Sequence, residues 1–129
     1  MRFEKTLLKN LIWNEAFARK VLPFVKDNYF LDTHERNIFG KIQEFIFKYN
    51  APPSKESLAI SISDMEGVRE DAVQEMLGIL DEISADREDK SDGQWLLDST
   101  EKFCQEKAIY NAVLKSISIL DDKDGSGPL

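Results

Sequence analysis

The hydrophobic residues between positions 32 and 50 recur at the spacing of one face of an α-helix. An apolar stripe of this kind needs a partner surface, and each large side chain that it buries contributes roughly 1.5–3 kcal/mol. We therefore predict that this helix is the central helix of the hydrophobic core. The stripe consists of Ile38, Ile42, Phe45, Ile46 and Tyr49.

Polar residues and prolines predict where this central helix begins and ends. The side chain of Asp32 or Thr33 can accept a hydrogen bond from a free backbone N–H of the first turn. The negative charge of Glu35 suits the positive end of the helix dipole. Pro52 and Pro53 stop the helix, because the residue before a proline is pushed out of helical geometry.

Two shorter helices are predicted before the central helix. Thr6 is a candidate N-cap for the first and Asn14 for the second, and Pro23 limits the second. The Tyr-Phe-Leu triplet at 29–31 either anchors a loop in the core or forms a very short extended piece. The apolar positions are Leu7, Leu8, Leu11 and Ile12 in the first helix, and Phe17, Ala18, Val21 and Leu22 in the second.

Two more helices are predicted after the prolines. Ser54 is a good N-cap for a short helix that ends near Asp64, and Gly67 separates it from a helix over residues 69–83. The alternation of Ile and Ser at 60–63 would also fit a strand, but it is short and isolated, so helix is preferred. The apolar positions are Leu58 and Ile62 in the first, and Ala72, Met76, Ile79, Leu80 and Ile83 in the second.

The last predicted helix runs from about Gln94 to Leu120, with Ser91 or Asp92 as its cap, after a charged loop over 84–93. It is apolar on two sides, which suits one surface within the chain and one between chains. One side carries Ile109, Val113, Ile117 and Leu120, flanked by Tyr110 and Leu114, and the other carries Leu97, Cys104, Ala108 and Ala112.

These patterns together predict an all-α fold, a compact bundle of five or six helices with a long C-terminal helix. One domain over residues 1–120 fits a chain of 129 residues. Residues 121–129 have linker composition, so we expect a flexible tail or the start of a linker there.

Composition narrows the class of function. Seventeen basic against twenty-four acidic side chains give a net charge of −7, which argues against tight binding to a phosphate backbone. No apolar run approaches the roughly 20 residues of a membrane helix, and the N-terminus lacks a signal-peptide core. Cys104 is the single cysteine, so an internal disulfide is excluded, and we expect a cytoplasmic protein.

The sequence offers no convincing catalytic, cofactor or metal site. A nucleotide-binding P-loop would need Gly-x-x-x-x-Gly-Lys followed by Ser or Thr, and no such run occurs. His34 is the only histidine and is interpreted as a partly exposed helix residue. Cys104 lies among apolar neighbours, so an inert buried thiol is expected rather than a nucleophile.

Three aromatic residues bear on the choice between core and interface. Phe47 lies opposite the apolar stripe of the central helix, so either another helix covers it or it is an exposed anchor for a partner protein. Trp95 has the same two interpretations at the start of the last helix, whereas Trp13 is interpreted as a core residue.

The order and spacing of four groups of residues resemble the N-terminal domain of DnaB-type replicative hexameric helicases, most closely those of T4-like bacteriophages. The similarity runs from about Leu7 to Leu120. The groups are residues 8–17 (LKNLIWNEAF); Tyr29-Phe30-Leu31 with residues 34–39 (HERNIF) and Ile42; Ala51-Pro52-Pro53-Ser54 with Leu58; and residues 95–103 (WLLDSTEKF) with Gln105, Ala108, Asn111 and Ala112.

This resemblance implies a non-catalytic oligomerisation and docking domain. In that family the ATPase motor, which binds ATP and magnesium, is a separate RecA-like domain, so neither enzyme activity nor a cofactor is expected in this segment. The N-terminal domain forms a collar on the hexamer, pairs subunits through a helical hairpin, and docks primase; helicase-loading protein is a further candidate partner. The long last helix would begin the hairpin, and its return helix would lie beyond Leu129.

The residues assigned to protein interfaces on this basis come from the central and last helices. They are Phe47, Trp95, Ile109, Tyr110, Val113, Ile117 and Leu120. The alternative function is a stand-alone all-α phage adaptor or regulatory protein that binds another protein. A P-loop encoded downstream of Leu129 would favour the helicase, and a stop codon the adaptor.

Overall fold

The computed structural model describes residues 2–85 and 93–121, and these residues form six α-helices and two short 3-10 turns without a β-strand. The predicted all-α fold with a long C-terminal helix is confirmed, and the strand alternative at 60–63 is wrong because these residues lie in a helix. The helices are α1 (Phe3–Trp13), α2 (Glu15–Val21), α3 (Thr33–Tyr49), α4 (Lys55–Ser63), α5 (Glu70–Ser84) and α6 (Gly93–Asp121).

The predicted caps explain where three of these helices begin. The Asp32 carboxylate accepts hydrogen bonds from the backbone N–H groups of His34 and Glu35, at 2.8 and 3.1 Å. The Asn14 side chain accepts one such bond, from the backbone N–H of Phe17 in α2, and the Ser54 hydroxyl accepts one from the backbone N–H of Ser57 in α4. The prediction of Thr6 as a cap is wrong, because α1 begins at Phe3 and Thr6 lies inside the helix. The predicted caps Ser91 and Asp92, most of the loop over 84–93 and the tail after residue 121 lie outside the described residues.

Helix α3 is the central helix, as predicted, because it contacts α1, α4, α5 and the second 3-10 turn. Ile38 and Ile42 are fully buried, but the stripe is rotated from the predicted one. Phe39 is also fully buried, whereas the Tyr49 side chain, at the end of α3, is more than half exposed. The inclusion of Tyr49 in the core was therefore wrong.

The loop before α3 is attached to the core by aromatic contacts. The 3-10 turns at Leu22–Phe24 and Asp27–Tyr29 carry the chain from α2 to α3. Phe30 is fully buried and stacks on Phe39, with ring centroids 5.0 Å apart. The triplet at 29–31 thus anchors the loop through its first two residues, while Leu31 is exposed.

Trp13 lies at the edge of the core rather than inside it. Its side chain is partly buried against the core, and its indole N–H points to the carbonyl oxygen of Ile83 at 3.4 Å. This contact joins the ends of α1 and α5. The interpretation of Trp13 as a core residue is therefore confirmed only in part, because the side chain packs against the core without being buried in it.

We expect Asp32→Ala to lower the free energy of unfolding by about 1 kcal/mol, since two backbone N–H groups of α3 lose their acceptor. Urea denaturation monitored by circular dichroism measures this change. Asp64→Ala is the matched control, because Asp64 is an exposed residue beyond the end of α4, and a change below about 0.5 kcal/mol is expected there. Equal effects of the two substitutions would contradict the capping role.

Candidate protein–protein interface

Helix α6 is divided into a packed half and a free half. Leu96, Thr100 and Phe103 are the buried residues of α6, and all three lie in its first half. Phe103 contacts the rings of Phe3 and Phe30, with centroids 5.5 and 6.0 Å apart. Only this half of α6 is therefore part of the hydrophobic core.

The free half of α6, residues 109–121, is here called the arm. The Asn111 side chain donates a hydrogen bond to the carbonyl oxygen of Asn28 at 3.1 Å, which fixes the start of the arm to the second 3-10 turn. From Ala112 to Asp121 every residue is exposed. At 1.5 Å per residue this exposed part is about 14 Å long.

The surface of the arm is apolar on more than one side. Its large hydrophobic side chains are each between 47% and 65% exposed. An exposed apolar surface of this extent marks an interaction site in a soluble protein. The residues are Ile109, Tyr110, Val113, Leu114, Ile117, Ile119 and Leu120.

The arm therefore brings together five of the residues assigned to an interface from the sequence, and adds two. Leu114 was recognised only as a flanking residue, and Ile119 was missed because it does not share the spacing of the main stripe. Both are about half exposed in the structure. The signal that could have identified them is the low number of polar residues over positions 109–120, rather than helical periodicity.

Phe47 and Trp95 do not belong to the arm. Phe47 lies on α3 and is 93% exposed, so none of the helices in the described residues covers it, contrary to the first of its two interpretations. Trp95 is 51% exposed and packs edge-on against Phe3, with centroids 6.3 Å apart. Along α6 it lies about 21 Å from Ile109 at 1.5 Å per residue.

A groove runs between α2 and α6 on the body of the domain, and its volume is about 540 Å³. We call it the α2–α6 groove. Cys104 lies in this groove as a half-buried free thiol. Burial raises the pKa of this thiol, which keeps it protonated and a poor nucleophile. The groove is lined by Lys20, Val21, Phe24, Tyr29, Leu97, Thr100, Glu101, Cys104, Gln105 and Ala108.

Glu35 is a buried carboxylate that sequence reasoning placed only at the helix dipole. Its side chain accepts a hydrogen bond from the Arg2 guanidinium, which ties the start of α1 to the start of α3. Burial raises the pKa of Glu35, and the nearby Arg2 charge opposes that shift. The neighbouring His34 is half-buried. The Arg2–Glu35 ion pair is therefore a structural contact between the beginnings of α1 and α3.

The described residues contain no group of three or more potential metal ligands. None of the helices in the described part of the chain combines the length and apolarity needed to span a bilayer. The features that stand out are therefore the exposed apolar arm, the groove and the isolated aromatic Phe47, all of which suit contacts with other proteins.

Comparison with known proteins agrees with the sequence motifs. The chain is similar to a replicative DNA helicase, so the resemblance drawn from the motifs is confirmed. The relative is a DnaB-like replicative helicase of Enterobacteria phage T4, 29% identical over 113 residues that cover 88% of this chain. The chain spans 23% of the length of that relative. No family model matches the chain. This similarity supports a helicase-related role and does not favour the stand-alone adaptor.

We expect Glu35→Gln to change how stability depends on pH. A carboxyl whose pKa is higher in the folded than in the unfolded state binds protons more readily when folded. Glu35 therefore makes its whole contribution to the free energy of unfolding at a pH below the pKa that it has in the unfolded chain. This contribution is lost as the pH rises through the higher pKa that Glu35 has in the folded chain. The glutamine side chain does not titrate, so the variant does not lose stability in this way. The free energy of unfolding of the variant, relative to that of the wild type, should therefore increase from pH 4 to pH 7.

Urea midpoints measured at intervals across that pH range test this prediction. Glu75→Gln is the control, because Glu75 is exposed on α5 and forms no ion pair among the described residues. A constant difference between Glu35→Gln and the wild type across the range would contradict the buried-carboxyl interpretation.

Proposed function

We propose that this chain is a non-catalytic oligomerisation and protein-docking domain of a replicative DNA helicase, equivalent to the N-terminal domain of DnaB-type enzymes. The similarity to the phage T4 helicase over 88% of the chain supports this assignment. In this proposal ATP and magnesium bind to a motor domain outside residues 1–129. The domain contributes to a collar and takes part in phage DNA replication in the host cytoplasm.

The exposed arm of α6 is the single observation that carries the proposal. A helix whose exposed half is mainly apolar gains little by remaining in water, since each large side chain is worth roughly 1.5–3 kcal/mol when it is buried. The arm extends beyond the hydrogen bond that Asn111 donates to Asn28, and its residues from 112 to 121 are exposed, so other helices can approach it from several sides. Sister subunits are the proposed partners of the arm.

The second part of the proposal concerns docking of other replication proteins. Phe47 lies on α3, separate in sequence from the arm, and its ring has almost no contact with its own domain. An isolated exposed aromatic side chain is typical of an anchor that fills a pocket on a partner. Primase is the proposed partner at this position, with a helicase-loading protein as a further candidate for the same region.

We expect Val113→Asp and Ile117→Asp to weaken self-association by about tenfold or more, since a charge would be placed in a surface that becomes buried. Both side chains are exposed in the single chain, so the fold should be retained. Sedimentation equilibrium measures the association, and far-UV circular dichroism measures the fold.

Ser118→Asp is the matched control for these two variants. It adds the same charge to the same arm at a position that is polar and exposed in the wild type. It should weaken association less than either apolar substitution. An unchanged association constant for Val113→Asp and Ile117→Asp, or global unfolding of both, would count against the arm as the subunit contact.

We expect Phe47→Ala to weaken binding of the cognate primase by about tenfold or more, as truncation of an anchor residue does. The free energy of unfolding should change by less than about 0.5 kcal/mol, because the ring is 93% exposed. Isothermal titration calorimetry with purified primase measures the affinity. Ile60→Ala, at an exposed hydrophobic residue of α4, is the control, and equal affinities for the two variants would refute a specific role of Phe47.

A further inference from the structure

The beginning of α1 is fixed by ion pairs with other helices. Its N-cap residue is Arg2, whose guanidinium has no acceptor atom for the free backbone N–H groups of the first turn. Instead, Arg2 binds the carboxylate of Glu35 in α3. The ammonium nitrogen of Lys5 lies 2.8 Å from a carboxylate oxygen of Glu82 in α5. Because a helix end without a side-chain cap frays easily, the position of this turn depends on the two ion pairs.

Phe3, the residue after Arg2, attaches the beginning of α1 to the packed half of α6. The centroid of its ring lies 5.5 Å from that of Phe103 and 6.3 Å from that of Trp95. Trp95 and Phe103 are about 12 Å apart along the helix axis at 1.5 Å per residue, so one side chain of α1 spans about two turns of α6. The ring of Phe3 thus adds to the contacts that α6 makes with α2 and the second 3-10 turn.

The buried carboxylate of Glu35 depends on Arg2 for its hydrogen bonding. Arg2 binds Oε2 of Glu35, and Oε1 has no hydrogen-bond partner among the described residues. Loss of Arg2 would leave a buried negative charge unpaired, which costs far more than burial of the protonated carboxyl. The Arg2 side chain is half-exposed, so it can move into water while the core stays packed. Charged Glu35 with Arg2 bound, and protonated Glu35 with Arg2 released, are therefore the two favourable arrangements.

Protonation of Glu35 and binding of Arg2 oppose one another. Burial raises the pKa of the Glu35 carboxyl, and the Arg2 charge opposes this shift. By linkage, Arg2 is then bound less tightly once Glu35 is protonated. Within the described part of the chain, α4, α5 and the second 3-10 turn place no charge that acts on this carboxyl. The other charges that act on it are Asp32, at the beginning of α3, and Glu4 and Lys5 of α1.

We propose that Arg2 and Phe3, here called the clasp, form a proton-controlled attachment of α1 to α6. While Glu35 is charged, Arg2 is bound and Phe3 is held against Trp95 and Phe103. When Glu35 takes up a proton, Arg2 is released and the contacts of Phe3 with α6 loosen. Because α6 continues into the arm, the clasp also determines how firmly the arm is attached to the domain. The clasp is a property of the single chain and does not depend on the function proposed above.

Quenching of Trp95 fluorescence by acrylamide tests the clasp in a Trp13→Phe background, which leaves one tryptophan. The quenching constant should rise by up to about twofold from pH 7 to pH 4, since the Trp95 side chain is already 51% exposed. In Glu35→Gln, which cannot ionise, the constant at pH 7 should already have its acidic value and should stay constant with pH. Arg2→Gln should behave in the same way, because it removes the group that Glu35 holds.

Lys5→Gln and His34→Gln are the matched controls for the quenching experiment. Lys5→Gln breaks the other ion pair of the same turn, and His34→Gln removes the titratable residue that precedes Glu35. Both variants should keep the change of the Trp95 quenching constant with pH. An equal constant at pH 4 and pH 7 in the Trp13→Phe protein, or a change that persists in Glu35→Gln, would overturn the proposal.

Amide hydrogen exchange at pH 7 tests the clasp without acid and with both tryptophans in place. The amides of residues 94–103 should exchange severalfold faster in Glu35→Gln and Arg2→Gln than in the wild type, because this part of α6 loses an attachment. The amides around Phe39 in α3 should be unchanged, and Lys5→Gln should leave residues 94–103 at the wild-type rate. Equal rates over residues 94–103 in all four proteins, or an equal acceleration in α3, would overturn the proposal.

Discussion

The stack of Phe30 on Phe39 is the contact on which the arrangement of the helices depends. Phe39 belongs to the central helix α3, and Phe30 belongs to the loop that precedes α3. The stack therefore attaches this loop to the side of the helix that follows it. Phe103 of α6 touches the ring of Phe30 from another side. One aromatic cluster thus joins the central helix α3, the loop before it and the last helix α6, and offset or tilted rings of this kind add to the energy of apolar burial.

That cluster also determines where α6 leaves the body. Phe103 is the last buried residue of α6, and the Asn111 side chain donates a hydrogen bond to the second 3-10 turn. Beyond these two contacts no α-helix of the described chain covers the apolar residues of the arm. The same core that orients α6 therefore leaves the apolar residues of its second half exposed, and the α2–α6 groove opens beside its packed half.

Periodicity and caps predicted the fold well, because both depend on neighbours in sequence. Asp32, Asn14 and Ser54 cap the helices that their positions indicated. Periodicity could not say how far the core extends along a helix, so Tyr49 was placed inside and Phe39 was overlooked. Periodicity also could not decide whether Phe47 is covered, or predict that Glu35 is buried beside Arg2. It could not predict that Lys20 and Glu101 line the same groove. Each of these features depends on the packing of helices that are distant in sequence.

The continuity of α6 has a mechanical consequence. The helix runs without interruption over 29 residues, from Gly93 to Asp121, and therefore connects the packed half that contains Phe103 to the tip of the arm. A continuous helix resists bending. A force that displaces the tip of the arm would therefore rotate the whole of α6 about its packed half near Phe103. A force on the tip of the arm would therefore reach the packing around Phe30 instead of being absorbed by a flexible joint.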